Sequence, residues 1–225
     1  MRRRRGVRLV ILVPALAIQS AWAGDSPDGD RCRPDGEHAV VRVVFEDRPI
    51  QYDRGRTRDE LRNMAGKWSS PYHQIMGLTQ AVPQTRLEVA PRVTASGADG
   101  TGGVCVAPDV TVHLGFEVFT IFLARDIGSD CRSRIVEDHE AEHANTWRNY
   151  YRAGARLMET RLKSLFDTPL HYRSAVEMRE KLLPELRQTV AELAASIHAS
   201  AAEAQRQIDS PSSYQFEANR LRACP

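Results

Sequence analysis

Apolar and polar residues alternate along several short stretches between residues 38 and 128, which predicts β-strands. The last stretch, residues 118–123 (VFTIFL), is apolar on both faces, as expected of a central strand. Pro91 has no backbone donor and predicts that residues 86–93 lie at a sheet edge. Glycines within residues 96–103 predict a hairpin loop. The predicted strands are residues 39–45, 50–52, 86–93, 110–114 and 118–123.

The spacing of apolar residues becomes helical in the second half of the chain. A long helix is predicted from Cys131 to about Phe166, followed by a break at residues 167–169 and a second helix to about Asp209. A shorter helix over residues 57–68 begins with a capping box. These elements predict an α+β fold, in which a small, mostly antiparallel sheet is combined with a long helix and a C-terminal helical hairpin.

The N-terminal residues predict export. Five arginines lie within the first eight residues, an apolar stretch extends to Ile18, and the small-residue pattern Ala21-Trp22-Ala23 follows. This order is typical of a cleavable secretory signal peptide over residues 1–23. A flexible leader follows, and a single domain completes the chain. The predicted limits are 24–37 for the leader, 38–225 for the domain, 38–128 for its sheet part, 129–209 for its helical part and 210–225 for its tail.

The signal peptide changes the interpretation of the charge. The chain of 225 residues has a net charge of +2, from 31 basic and 29 acidic residues. Residues 1–23 contain five arginines and no acid, so the exported part has 26 basic and 29 acidic residues and a net charge of −3. This balance argues against nucleic acid as a partner. After cleavage we expect no stable membrane insertion either.

Four cysteines lie in the exported part, namely Cys32, Cys105, Cys131 and Cys224. An even number of cysteines in an oxidising compartment predicts two disulfides. Three connectivities are open. The pairing that we favour joins Cys105 to Cys131 within the core and Cys32 to Cys224 between the termini.

The first long helix contains the pattern His-Glu-x-x-His, at His139-Glu140-Ala141-Glu142-His143. Residues four apart lie one turn above each other, so His139 and His143 can present two imidazoles to one metal ion. Zn²⁺ makes water acidic enough to act as a nucleophile near neutral pH, and Glu140 can take up the proton of that water as it attacks a carbonyl group. The pattern therefore predicts His139 and His143 as zinc ligands and Glu140 as the catalytic base.

Together with its surroundings, the motif resembles a bacterial family of predicted secreted zinc-dependent proteases. The residues that carry the resemblance are 52–62 (YDRGRTRDELR), Cys105 with the strand after it, Cys131 and the motif at 139–143. The resemblance covers residues 40–150. It implies a zincin-like fold, peptide-bond hydrolysis, zinc binding by the two histidines and catalysis by the glutamate between them.

A catalytic zinc site uses three protein ligands, and the third is open here. The family's C-terminal Tyr-Asp…His-Gly pattern is absent, since residues 214–217 read YQFE. A helical hairpin that turns near Thr168 would bring residues 192–198 opposite the motif. His198 and then Glu192 are therefore the first candidates for the third ligand. Glu203, Glu217 and His113 follow them.

Four further side chains are candidates for supporting roles. Tyr150 or Tyr151 could bind a developing oxyanion, although tyrosines at such positions commonly pack against a helix face. Asp138 or Glu142 could orient a ligand imidazole, although solvated surface acids are common at such positions as well.

The sequence thus favours an exported metallopeptidase, periplasmic or secreted, that acts on a peptide or protein substrate. We expect an edge strand, either residues 110–114 or residues 118–123, to align an extended peptide by strand addition. The alternatives are a non-enzymatic envelope adaptor or inactive protease relative, and a zinc-dependent amide hydrolase acting on cell-wall peptide.

Overall fold

The structure is a computed structural model, and it describes residue 32 and residues 38–66, 75–96 and 103–225. The chain divides into two units, Met1–Asp30 and Arg31–Pro225, and all described residues belong to the second. The predicted signal peptide, the predicted leader apart from Cys32, and residues 97–102 of the predicted hairpin loop lie outside the described residues.

The described residues form both helices and strands in large proportion, so the predicted α+β class is confirmed. The strands are β1 (Val40–Glu46), β2 (Gln51–Asp53), β3 (Gly77–Ala90), β4 (Val93–Ser96), β5 (Val104–Val106), β6 (Asp109–Leu123) and β7 (Leu170–Tyr172). The helices are α1 (Arg58–Ala65), α2 (Asp130–Ser164), α3 (Ala175–Ile208) and α4 (Pro211–Arg222). The capping box predicted at the start of α1 is present, with Thr57 as the N-cap and Glu60 as its partner.

The first sheet is built around β6. Strands β1 and β2 pair with β6 in parallel on one side, with Val40 opposite Asp109 and Tyr52 opposite Ile121. Strand β3 pairs with β6 in the antiparallel direction along the other side. The stretches 110–114 and 118–123 are therefore one continuous central strand. The expectation that either of them offers a free edge to a peptide is wrong, because neighbouring strands cover both sides of β6.

A second, antiparallel sheet has the strand order β4-β5-β7. Strands β4 and β5, on either side of the predicted hairpin loop, pair in the antiparallel direction. Strand β7 lies in the connection between the two long helices, and its His171 pairs with Cys105 of β5. The connection is thus an ordered strand rather than a tight turn, which matters for the alignment of the two helices.

The long helices form the predicted hairpin and cover one side of the first sheet. Helix α2 packs against β1, β3 and β6, and α3 packs against α2. The inward face of β6 and that of α2 supply much of the core, with Val110, Val112, Leu114, Tyr151, Met158 and Leu162 all buried. Among the described residues, no helix is both long and apolar enough to cross a bilayer.

All four cysteines are in disulfides, but both bonds of the favoured pairing are wrong. Cys32 is bonded to Cys105, and Cys131 is bonded to Cys224. Helix α4, in the segment predicted only as a tail, lies along α2 and returns Cys224 to the start of that helix. Cys105 lies on β5 in the second sheet and is joined to Cys32 instead. The second bridge therefore attaches the C-terminal segment to the helix that contains the motif.

Candidate metal centre

Helix α2 places both histidines of the motif on one face. His143 is buried and His139 is half-buried, and their rings are 4.8 Å apart at an angle of 82°. The two Nε2 atoms are 3.1 Å apart. The four-residue spacing thus brings two nitrogen donors to a common point.

A carboxylate from the other long helix completes the group. Asp209 is the residue immediately after α3, and its Oδ1 lies 3.2 Å from Nε2 of His143 and 3.4 Å from Nε2 of His139. Ligand atoms at about 2.0–2.1 Å from a tetrahedral zinc ion are about 3.3 Å from one another. The separations of the three atoms match those of ligand atoms around a tetrahedral zinc ion. Among the described residues, His139, His143 and Asp209 form the group of His, Asp, Glu or Cys side chains that could hold a metal ion.

The electrostatics of the group fit a cation site. Burial opposes protonation of His143, but its hydrogen bond to Asp209 and the nearby carboxylates outweigh burial and raise its pKa to about 9. Burial would likewise raise the pKa of Asp209, yet the bonds to both histidines hold it well below its usual range. Without a metal, His143 is protonated near neutral pH and faces the Asp209 carboxylate. A metal ion must displace that proton to bind.

Gln205 fixes the orientation of His143. Its side-chain Nε2 donates to the carbonyl oxygen of His143 (3.3 Å), and its Oε1 accepts from Nδ1 of the same imidazole (2.5 Å). Because Nδ1 is the donor in this pair, Nε2 is the nitrogen that faces the metal position, and its lone pair becomes available once a metal ion displaces the proton.

Tyr214 of α4 contacts two members of the group. Its hydroxyl donates to Oδ1 of Asp209 at 2.8 Å, and its ring centroid is 6.0 Å from that of His139. Burial and the charge of Asp209 both raise the pKa of Tyr214, so the hydroxyl stays a donor.

Glu140 is buried between α2 and β3, beside the histidines. Thr79 of β3 donates to Glu140 Oε2 at 2.8 Å, and a Cβ on Gly77 would be only 2.6 Å from Glu140 Oε1. Glycine at position 77 therefore permits the close approach of strand and carboxylate. Burial raises the pKa of Glu140 and outweighs the opposing effects of His143, His139 and Thr79. The raised pKa makes this carboxylate a better proton acceptor than an ordinary glutamate.

Neither predicted third ligand reaches the histidines. His198 Nδ1 and the Tyr151 hydroxyl share a hydrogen bond of 3.1 Å, and the His198 ring stacks on Trp147. Glu192 accepts from Gln188 one turn earlier on the same helix. Neither residue is therefore part of the metal group, whose third member is Asp209.

The register of the helical hairpin explains why His198 and Glu192 do not lie opposite the motif. Gly154 of α2 packs against Ile197 of α3. Because the two helices run in opposite directions, His143, eleven residues before Gly154, lies opposite Ile208, eleven residues after Ile197. The connection between the helices includes β7 and delays the start of α3 to Ala175. A turn near Thr168 would start the second helix earlier in the chain, and this is why residues 192–198 were expected opposite the motif. One available signal was the four-residue spacing of Gln205 and Asp209, which places both on the face opposite the motif.

The other candidates make their contacts elsewhere. Tyr151 is buried in the core, with its hydroxyl bonded to His198, which fits packing rather than oxyanion binding. Glu142 is exposed and lines a shallow depression together with Ser210 and Phe216. The other candidate side chains bond to residues outside the metal group. Glu203 bonds to Arg206, and His113 bonds to Glu46. Glu217 and Asp138 both bond to Arg220.

Comparisons of this chain with protein-family models, with curated proteins and with solved structures found no match. Any conclusion about function therefore depends on the geometry of the three ligand atoms and of the carboxylate beside them.

Proposed function

We propose that the protein is an exported zinc metallopeptidase whose metal ligands are His139, His143 and Asp209. The observation that carries this proposal is the triangle of two Nε2 atoms and one Oδ1 atom, with sides of 3.1, 3.2 and 3.4 Å. Two imidazoles and one carboxylate are a ligand set that zinc accepts at catalytic sites, with one position left for water or substrate. Zinc bound there would supply Lewis acidity, which polarises a carbonyl group and makes water nucleophilic at neutral pH.

Glu140 is the general base in this proposal. Thr79 holds Oε2, and no hydrogen bond to Oε1 is found within the described residues. This oxygen is therefore free to accept the proton of the attacking water. The same carboxyl group then delivers the proton to the amine that leaves when the peptide bond breaks.

Strand β3 supplies the edge along which a substrate can bind. In the described sheet β3 pairs with β6 alone, so its outer edge is open. Its first residues, Gly77 to Thr79, lie beside Glu140. An extended peptide added to this edge would place its backbone next to the carboxylate. This supports a peptide or protein segment in extended conformation as the substrate.

Export is supported by the cysteines. Both disulfides join cysteines that are far apart in sequence, 73 and 93 residues, and such bridges are typical of oxidising compartments. The N-terminal sequence pattern supports the same location, the periplasm or the extracellular medium.

The experiment is a zinc titration of the purified protein, combined with an assay of peptide hydrolysis. We expect about one zinc per chain and hydrolysis that chelators abolish and zinc restores. Asp209→Ala should lose most of the zinc affinity, while His198→Ala and Glu192→Ala, the matched controls, should retain it. Zinc binding that survives Asp209→Ala would refute the ligand set, and a zinc-loaded protein that cleaves no peptide would refute the peptidase.

A further inference from the structure

Helix α4 lies antiparallel to the first part of α2. The contacts between them run in opposite chain order, since Cys224 is bonded to Cys131, Arg220 bonds to Asp138 and Tyr214 lies over His139. The helix begins at Pro211, two residues after the proposed ligand Asp209. The position of α4 on α2 therefore affects the geometry of the metal group directly.

Packing alone provides little to hold α4 in place. None of its residues is buried, and Phe216 is 62% exposed. The ion pair of Arg220 with Asp138 is largely solvated, and exposed pairs of this kind stabilise a contact only weakly. The covalent bond between Cys131 and Cys224 is therefore the strongest constraint on the far end of the helix.

The near end of α4 has a polar contact with the metal group. The Tyr214 hydroxyl donates to Oδ1 of Asp209, the same oxygen that faces both histidine Nε2 atoms. A donor on this oxygen restricts rotation of the carboxylate, and the ring of Tyr214 packs beside His139 at the same time. Hydrogen bonds from outside the ligand set commonly orient metal-binding carboxylates in this way.

We propose that Tyr214 is a positioning residue for Asp209, and that the Cys131–Cys224 disulfide holds the helix that presents it, so that the protein reaches full zinc affinity only when this disulfide is formed. The inference rests on the proposed metal site. In reducing surroundings α4 is free to leave α2, and Asp209 loses the hydrogen bond that orients it. The metal centre is thereby completed only in an oxidising compartment.

The other disulfide provides a matched control. Cys32–Cys105 also closes a long segment, but Cys105 lies on β5 in the second sheet and forms no part of the α2–α4 contact. Loss of either bridge removes one cross-link from the unfolded chain, so both should lower thermal stability. Only loss of Cys131–Cys224 should alter the metal site.

The test measures zinc affinity by competition with a chromophoric chelator, and the visible absorption spectrum of the cobalt(II)-substituted protein. Four proteins are compared: wild type, Tyr214→Phe, Cys131→Ala/Cys224→Ala and Cys32→Ala/Cys105→Ala. We expect zinc affinity to fall about 10–100-fold in Tyr214→Phe, the range typical of losing an outer hydrogen bond at a metal site. We expect at least the same loss in Cys131→Ala/Cys224→Ala, with an altered cobalt spectrum in both variants. Cys32→Ala/Cys105→Ala should keep the wild-type affinity and spectrum.

Each outcome decides between the proposals. If wild type does not bind zinc, the metal site itself is refuted. If wild type binds zinc and Tyr214→Phe has the same affinity and cobalt spectrum, the positioning role is refuted while the metal site remains. If both double variants lose affinity equally, the effect is general destabilisation and the specific role of Cys131–Cys224 is refuted. Should Cys131→Ala/Cys224→Ala fail to fold, reduction of the folded Cys32→Ala/Cys105→Ala variant, whose remaining bridge is Cys131–Cys224, takes its place, and an unchanged zinc affinity after that reduction would refute the role of this bridge.

Discussion

Ile197 of α3 packs directly over Gly154 of α2, so closely that a Cβ on Gly154 would lie 2.7 Å from carbons of the isoleucine side chain. This contact sets the register of the two long helices. It also places the end of α3, and Asp209 with it, opposite His143.

Gly154→Ala tests that register. Alanine in an exposed helix interior normally stabilises by about 1 kcal/mol relative to glycine, but overpacking in a close contact costs about 1–3 kcal/mol. We expect a net loss of thermal stability, measured by calorimetry or circular dichroism, and weaker zinc binding. Adding Ile197→Ala removes the clashing carbons, so the double variant should be less destabilised than the sum of its parts. An increase in stability for Gly154→Ala alone would contradict the close packing.

Glu140→Gln separates metal binding from chemistry. Glutamine keeps the size of the side chain but is a very poor proton acceptor. We expect kcat for peptide hydrolysis to fall by about 10²–10⁴-fold or more, with zinc affinity close to that of wild type. Glu142→Gln, two residues along the same helix, should leave both quantities unchanged. Hydrolysis at the wild-type rate in Glu140→Gln would rule out the proposed base.

Thr79→Val tests how the base is held. Valine preserves the shape of threonine and removes the hydroxyl that donates to Oε2 of Glu140. We expect kcat to fall about 10–100-fold with little change in zinc content, because the carboxylate loses its fixed orientation. Thr85→Val, on the same strand but six residues from Thr79, is the control and should be active. Equal activities of the two variants would show that the Thr79 hydroxyl has no orienting role.

The stability of the metal-free protein should depend on pH through His143 and Asp209. The pKa of His143 is raised from 6.5 to about 9, so its contribution is complete below pH 6.5 and is lost as the pH rises through 9. The pKa of Asp209 is lowered from 3.8, so its contribution is complete above pH 3.8 and is lost as the pH falls through the lowered value. The pair therefore stabilises the fold most between pH 3.8 and 6.5.

Thermal unfolding of the chelator-treated protein measures this dependence. We expect the melting temperature to decline between pH 6.5 and 9 more steeply in wild type than in Asp209→Asn, which lacks the charge that favours the protonated imidazole. Bound zinc replaces the proton, so the zinc-loaded protein should show a smaller decline. Identical pH profiles for wild type and Asp209→Asn without metal would show that the pair is not coupled in solution.

Several features of the protein were determined by the sequence alone, because they depend on residues close together in the chain. The four-residue spacing of His139 and His143 places both imidazoles on one face of any α-helix, within reach of each other. The change from alternating to helical spacing of apolar residues predicted the α+β class and the hairpin of α2 and α3. The even number of cysteines predicted that all four would be bridged.

Only the tertiary structure decided which distant segments meet. The side chain that joins His139 and His143 is Asp209 rather than His198 or Glu192, because β7 lengthens the connection between the helices and shifts their register. Helix α4 lies back along α2, which joins Cys224 to Cys131. Among the described strands, β6 is central, and β3 is an edge strand that begins beside Glu140. Local periodicity is set by neighbouring residues and can be predicted, whereas register depends on side-chain contacts between helices and strands that are remote in sequence.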